Sequence, residues 1–211
     1  MKGSEFLTVV AAILILTAVV AFKPILYQDF SVLPKYLLFS TIILAVSIGS
    51  KKLMASLLEA GVEHKIWMAQ RFGYKPNYKL EREIPVGIIF PIFFSFFSLG
   101  IIRFLGILTY ETKALKTRAA KRFGFYSFKE MTEWHNGLIG GVGIFACLLL
   151  SFVGYFPGLG ELSRLSIFYA FSNMIPISNL DGTQILFGSK VLYFTLALIT
   201  IIFLIYALLL I

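Results

Sequence analysis

Long apolar runs broken by short charged stretches constrain this chain more than any other feature. Residues 6–22, 33–49, 85–110, 136–156, 162–180 and 191–211 are each mostly apolar. A helix needs about 20 such residues to cross a bilayer, and only backbone that satisfies its own hydrogen bonds is stable there. The runs predict an all-α polytopic membrane protein of about six or seven transmembrane segments. Composition agrees: the chain is 58% hydrophobic and only 14% charged, about half the charge of an ordinary soluble domain. A single cysteine, Cys147, excludes an internal disulfide and a multi-thiolate metal site. The only imidazoles are His64 and His135.

The net charge of +8 sits between the apolar runs, as the positive-inside bias of membrane proteins requires. No basic helix or aromatic-basic platform stands free of those runs, so nucleic acid is not the expected partner. The stretch 111–135 carries Lys113, Lys116, Arg118, Lys121, Arg122 and Lys129 against Glu111, Glu130 and Glu133. Placing this basic loop and Lys51-Lys52 in the cytoplasm gives a cytoplasmic N-terminus and an outside C-terminus. It also asks residues 50–73 to span or nearly span; if they lie flat at the interface, one span fewer remains. Lys2 ahead of an apolar run resembles a signal peptide, but the next run follows at once, which favours an uncleaved anchor. The expected organisation is two anchoring spans over 1–49, a core over 50–186 and a C-terminal span over 187–211.

The most informative stretch closes the run 162–180: Asn173-Met174-Ile175-Pro176-Ile177-Ser178-Asn179-Leu180-Asp181-Gly182. An ionised carboxylate at the centre of a span costs about 2.5–3.5 kcal/mol, and broken backbone at depth survives only where protein buries it or a cavity lies beside it. A polar cleft around Asp181 is one reading; a surface turn at Asp-Gly is the other. This stretch resembles the N-x-x-P-x-x-x-L-D-G motif of site-2 proteases, the intramembrane zinc metalloproteases of peptidase family M50. The match covers Asn173, Pro176, Leu180, Asp181 and Gly182. The resemblance implies a zinc ligand at Asp181 and a substrate-holding role for Asn173, so Asn173, Pro176 and Asp181 are the candidate substrate or partner-binding residues. Two further stretches are similar to the family. Leu138-Ile139-Gly140-Gly141-Val142-Gly143-Ile144 resembles its A-G-P-x-x-N helix start, with Gly141 for the Pro and Ile144 for the Asn. Lys65-Ile66-Trp67-Met68-Ala69-Gln70-Arg71-Phe72-Gly73 resembles the H-K-x-x-A-Q-R-Y-G tail of archaeal-type members. The resemblance spans about residues 53–186.

The departure from the family carries as much weight. Its H-E-x-x-H helix supplies two zinc ligands and a general base. Aligned on Ala69-Gln70-Arg71, that motif falls on Gly61-Val62-Glu63-His64-Lys65, with Gly61 and Lys65 for the ligands and Val62 for the base. No catalytic residue, metal or other cofactor is then expected. The function implied is a pseudoprotease: a scaffold, adaptor or regulator that sits in the lipid bilayer and binds a membrane-protein partner. The alternative is a divergent metallohydrolase in which Glu59, Glu63, His64 and Asp181 hold zinc or another divalent metal. Against it, Lys52, Ser56, Glu59 and Glu63 read as the wet stripe of an amphipathic helix. Lys65 could pair with Asp181 as a fossil of the metal site. A third reading makes Glu63, Lys65 and Asp181 an intramembrane ion path. Elsewhere, His135 beside Trp134 reads as interfacial and Cys147 as inert core. Gly137, Gly140, Gly141 and Gly143 permit close helix approach. Residues 123–128 suit a short strand, part of a possible β hairpin in the basic loop.

Overall fold

The computed structural model describes residues 3–71, 79–101, 103–115 and 131–209. Helix α1 (Gly3–Val20) leads through a short α2 (Phe22–Leu26) and a 3-10 turn (Phe30–Val32) into α3 (Leu33–Leu57). Strand β1 (Ala60–Ile66) follows, then β2 (Ala69–Arg71), β3 (Lys79–Ile84) and the Phe-rich α4 (Val86–Phe97). Strand β4 (Leu108–Ala114) precedes α5 (Glu133–Tyr155), α6 (Gly160–Met174), α7 (Asp181–Gly188) and α8 (Lys190–Leu209). Three helical stretches among the described residues are long and apolar enough to cross a membrane: Phe30–Leu57, Glu133–Tyr155 and Lys190–Leu209.

The fold is mostly helical but not all-α. Strands β1 and β4 pair antiparallel from Ala60 opposite Ala114 to Ile66 opposite Leu108, and β2 pairs with β3. This overturns the helical reading of residues 50–73. Only Ser50 to Leu57 continue α3, which runs unbroken through residue 49. The helix ends at Leu57, and at Glu59, whose φ is +53°, the chain turns into β1. From there the period is two: Ala60, Val62 and His64 are buried, while Lys65 is exposed. Lys52 and Ser56 lie on α3 and Glu63 on β1, so the four polar residues do not form one helical stripe. Residues 123–128 lie outside the described residues, and the strand that pairs with β1 is β4, at the start of the basic stretch.

Among the described residues, the main apolar core joins six of the helices. It takes Leu16 and Val20 from α1, Ile43 and Leu44 from α3, Cys147 and Leu148 from α5, Leu165 and Tyr169 from α6, Ile185 from α7 and Leu196 from α8. Each fully buried aliphatic side chain of this kind contributes about 1.5–3 kcal/mol where water is the alternative; in lipid, close packing carries the association instead. Trp67 forms a second centre, edge-on to Phe90 at 5.5 Å and 6.3 Å from Phe104. Its backbone ties β1 to α4, since Gly87 N–H donates to Trp67 O at 2.9 Å.

Candidate functional site

Helix α6 ends at Met174, and α7 begins at Asp181. Pro176 and the left-handed Ser178 (φ +51°) fill the break between them. Pro176 lacks an N–H to continue the helix. Gly182 then packs directly on the end of α6: a Cβ there would lie 2.1 Å from Met174 O. That close approach swings Asp181 inward, and its side chain is only 1% exposed.

The group that meets it is Lys51, near the end of α3 and 2% exposed. Lys51 Nζ lies 2.5 Å from Asp181 Oδ2. The lysine stem crosses the face of α5 where Gly143 leaves room, since a Cβ at Gly143 would stand 2.4 Å from Lys51 Cε. Its ammonium also sits 4.9 Å from the centre of the Tyr110 ring, a cation–π contact that strengthens when water is excluded. Tyr110 Oη donates to Asn136 O at 2.6 Å. Burial first, then the nearby Asp181 carboxylate, holds the Tyr110 phenol well above its ordinary pKa, so it stays a neutral donor. One helical turn before Lys51, the buried Ser47 accepts from Tyr169 Oη at 3.5 Å. Asn173 is also buried, donating from Nδ2 to Tyr169 O at 2.9 Å.

A cleft of about 550 Å³ opens beside this pair. Its walls are β4 (Tyr110 to Thr112), the start of α5 (Glu133, Asn136) and the α6–α7 break with α7 (Ser178, Asn179, Thr183, Gln184, Phe187). The outer edge of β4 faces it but is partly covered: Gln184 Nε2 donates to Tyr110 O at 3.0 Å, and Thr112 Oγ1 donates to Asn136 Oδ1. Tyr110 and Asn136 belong to both the cleft and the surroundings of the ion pair.

A separate polar cluster fastens α1 to the same end. Glu5 Oε1 pairs with Lys52 Nζ at 2.7 Å and lies 3.4 Å from His64 Nδ1. Burial first, then the positive charge of Lys51, pushes the His64 imidazole down to about 3. His64 is therefore neutral at physiological pH.

These partners redistribute the residues singled out from sequence. Lys65 does not reach Asp181; it pairs with Glu111 at 2.6 Å in solvent, and the lysine that pairs with Asp181 is Lys51. Glu63 pairs with Lys113 at 2.8 Å, His64 with Glu5 and Asp181 with Lys51, so the Glu59, Glu63, His64 and Asp181 cage is not assembled. The same pairings hold Asp181 apart from Glu63 and Lys65, so the trio of the ion-path reading is not brought together. Gly61 and Val62 lie on strand β1 rather than on a helix. Pro176 is exposed in the break, whereas Asn173 is buried on α6 rather than lining the cleft. Zinc at a carboxylate oxygen requires about 2.0–2.2 Å and nitrogen or sulfur donors around it. The place beside Asp181 Oδ2 is taken by an ammonium, and a cation does not bind a cation, so these residues do not fit a zinc site. Among the described residues, no three of His, Cys, Asp and Glu converge.

Lys51, Ser47, Tyr110 and Gln184 are the site residues that sequence reasoning missed. A lysine six residues inside the end of a helix of membrane-spanning length was the available signal, because such a charge needs a partner. Comparison with family models, with curated proteins and with solved structures returned no match.

Proposed function

We propose that this chain is a multi-pass membrane protein of the site-2-protease type in which a lysine stands in place of the metal, and that it holds membrane-protein partners without cutting them. The observation that carries the reading is the Lys51–Asp181 pair at 2.5 Å. It supports a different register for the degenerate motif: Ser47-Ile48-Gly49-Ser50-Lys51 on α3. In that register Ser47 and Lys51 are one turn apart, as two metal ligands must be, and Ile48 replaces the general base. Peptide-bond hydrolysis at a metal needs a Lewis acid, an activated water and a proton carrier; the three replacements remove all of them together. What remains is a polar cleft bounded by a strand edge, a form suited to an extended segment. Such a segment reaches the Tyr110 carbonyl only by displacing Gln184. The orientation has the N-terminus and the 111–135 stretch in the cytoplasm.

The test is a gain of metal. Wild-type protein purified in mild detergent without chelator should carry no stoichiometric divalent ion by elemental mass spectrometry. The triple variant Ser47→His, Ile48→Glu, Lys51→His should acquire zinc, and Asp181→Asn in that background should lose it again. Near-stoichiometric metal in wild type, lost in Asp181→Asn, would overturn the proposal in favour of a metallohydrolase.

A further inference from the structure

At the end of the bundle opposite the Lys51–Asp181 pair, about 24 Å away along α3 by helical rise, the start of α3 and the α5–α6 turn enclose a cleft of about 480 Å³. Lys35, Phe39, Gly158, Glu161 and Arg164 line it. Lys35 Nζ pairs with Glu161 at 2.6 Å. Arg164 stacks its guanidinium over Phe168 at 5.7 Å, and its buried Nε has no hydrogen-bond partner among the described residues. Arg103, half-buried in the segment before β4, is close enough to feel both Arg164 and Glu161. Two cationic groups thus line the cleft with one carboxylate, and a third, Arg103, lies near them. The α6 N-terminus opens onto the same place with no side-chain cap from Leu159, adding the partial positive charge of a helix start.

The level of this cleft says what fills it. Phe30–Leu57 and Glu133–Tyr155 are both of membrane-spanning length, and the cleft lies where the first begins and the second ends. Exposed Tyr27, Phe30, Tyr155 and Phe156 ring that end, as aromatic side chains do at headgroup level. An excess of basic groups at that depth meets lipid phosphate. We propose that Lys35, Arg103 and Arg164 bind the phosphate of an anionic glycerophospholipid headgroup. This inference rests on the reading that the chain crosses a bilayer.

Native mass spectrometry of the full chain, exchanged into detergent with phosphatidylglycerol or phosphatidylcholine, tests it. Wild type should retain phosphatidylglycerol in preference, and R103Q/R164Q should lose roughly fivefold in retention for each charge removed. Glu161→Gln, which frees Lys35, should raise retention, a gain that misfolding cannot mimic. Lys113→Gln, at the far end of the bundle, should change nothing. Equal retention of the two lipids, or wild-type retention by R103Q/R164Q, would overturn the proposal. So would inorganic phosphate alone raising the unfolding temperature as much as phosphatidylglycerol does, because the site would then be reading a free anion. Alkaline carbonate extraction separates the two readings: release of the protein from membranes refutes the bilayer reading itself, whatever lipid is retained.

Discussion

Lys51→Met is the perturbation that tests the central pair most sharply. Methionine keeps the unbranched stem that crosses Gly143 but removes the ammonium, leaving the Asp181 carboxylate buried with no counter-charge. Both side chains are almost fully excluded, at 2% and 1% exposure, so solvent cannot screen the loss. Breaking one half of such a pair costs about 3–5 kcal/mol, a rise of a few hundredfold or more in the unfolded population. Asp181→Leu should cost a similar amount, strands the ammonium against the Tyr110 ring alone and leaves no anion beside it. The double variant Lys51→Met, Asp181→Leu should recover to within about 1 kcal/mol of wild type or exceed it, because well-packed apolar pairs replace buried ion pairs without loss. Equilibrium unfolding by dodecyl sulfate titration in mixed micelles gives the three values, with fluorescence of the buried Trp67 as a reporter. A double variant as unstable as the sum of its two singles would refute the reasoning, since the two groups would then not be coupled.

Acid should destabilise the fold through His64. The His64 imidazole is at about 3 in the folded protein against 6.5 when free, so between those values the unfolded chain binds the extra proton. Stability is complete above about pH 6.5 and falls toward pH 3, by about 2 kcal/mol at pH 5; His64→Gln should flatten that slope in the same titration, and an unchanged slope would assign it to other groups. Gly182→Ala should cost more than about 2 kcal/mol, because its Cβ would meet the Met174 carbonyl oxygen at 2.1 Å; a wild-type unfolding midpoint would show that α6 and α7 can separate freely. Gln184→Ala should uncover the Tyr110 carbonyl and increase photo-crosslinking of a bound extended peptide from a probe at Ser178, while a probe at the exposed Leu198 on α8 stays silent. Equal labelling from the two positions would remove the cleft as the binding site.

Periodicity and local chemistry carried much of this protein's description. The apolar runs at 33–49, 136–156 and 191–211 predict helices, since nothing else satisfies so long an apolar backbone. Pro176 and Gly182 marked the break before Asp181, and the small residues of α5 marked where another element crosses closely. Residues 60–66 were harder to read because charged residues four apart imitate a helical face, while the alternation of Val62, His64 and Ile66 against Glu63 and Lys65 carried the true period of two. The choice of partners was not legible at all. Lys65 was the partner expected for Asp181, and only the packing of α3 and α7 against α5 brings Lys51 there instead. Glu5 and His64 are likewise joined only because α1 packs against β1. A charge buried in an apolar segment demands a counter-charge by energetics alone, but which one it finds depends on contacts between residues far apart in the chain, and those the tertiary structure decides.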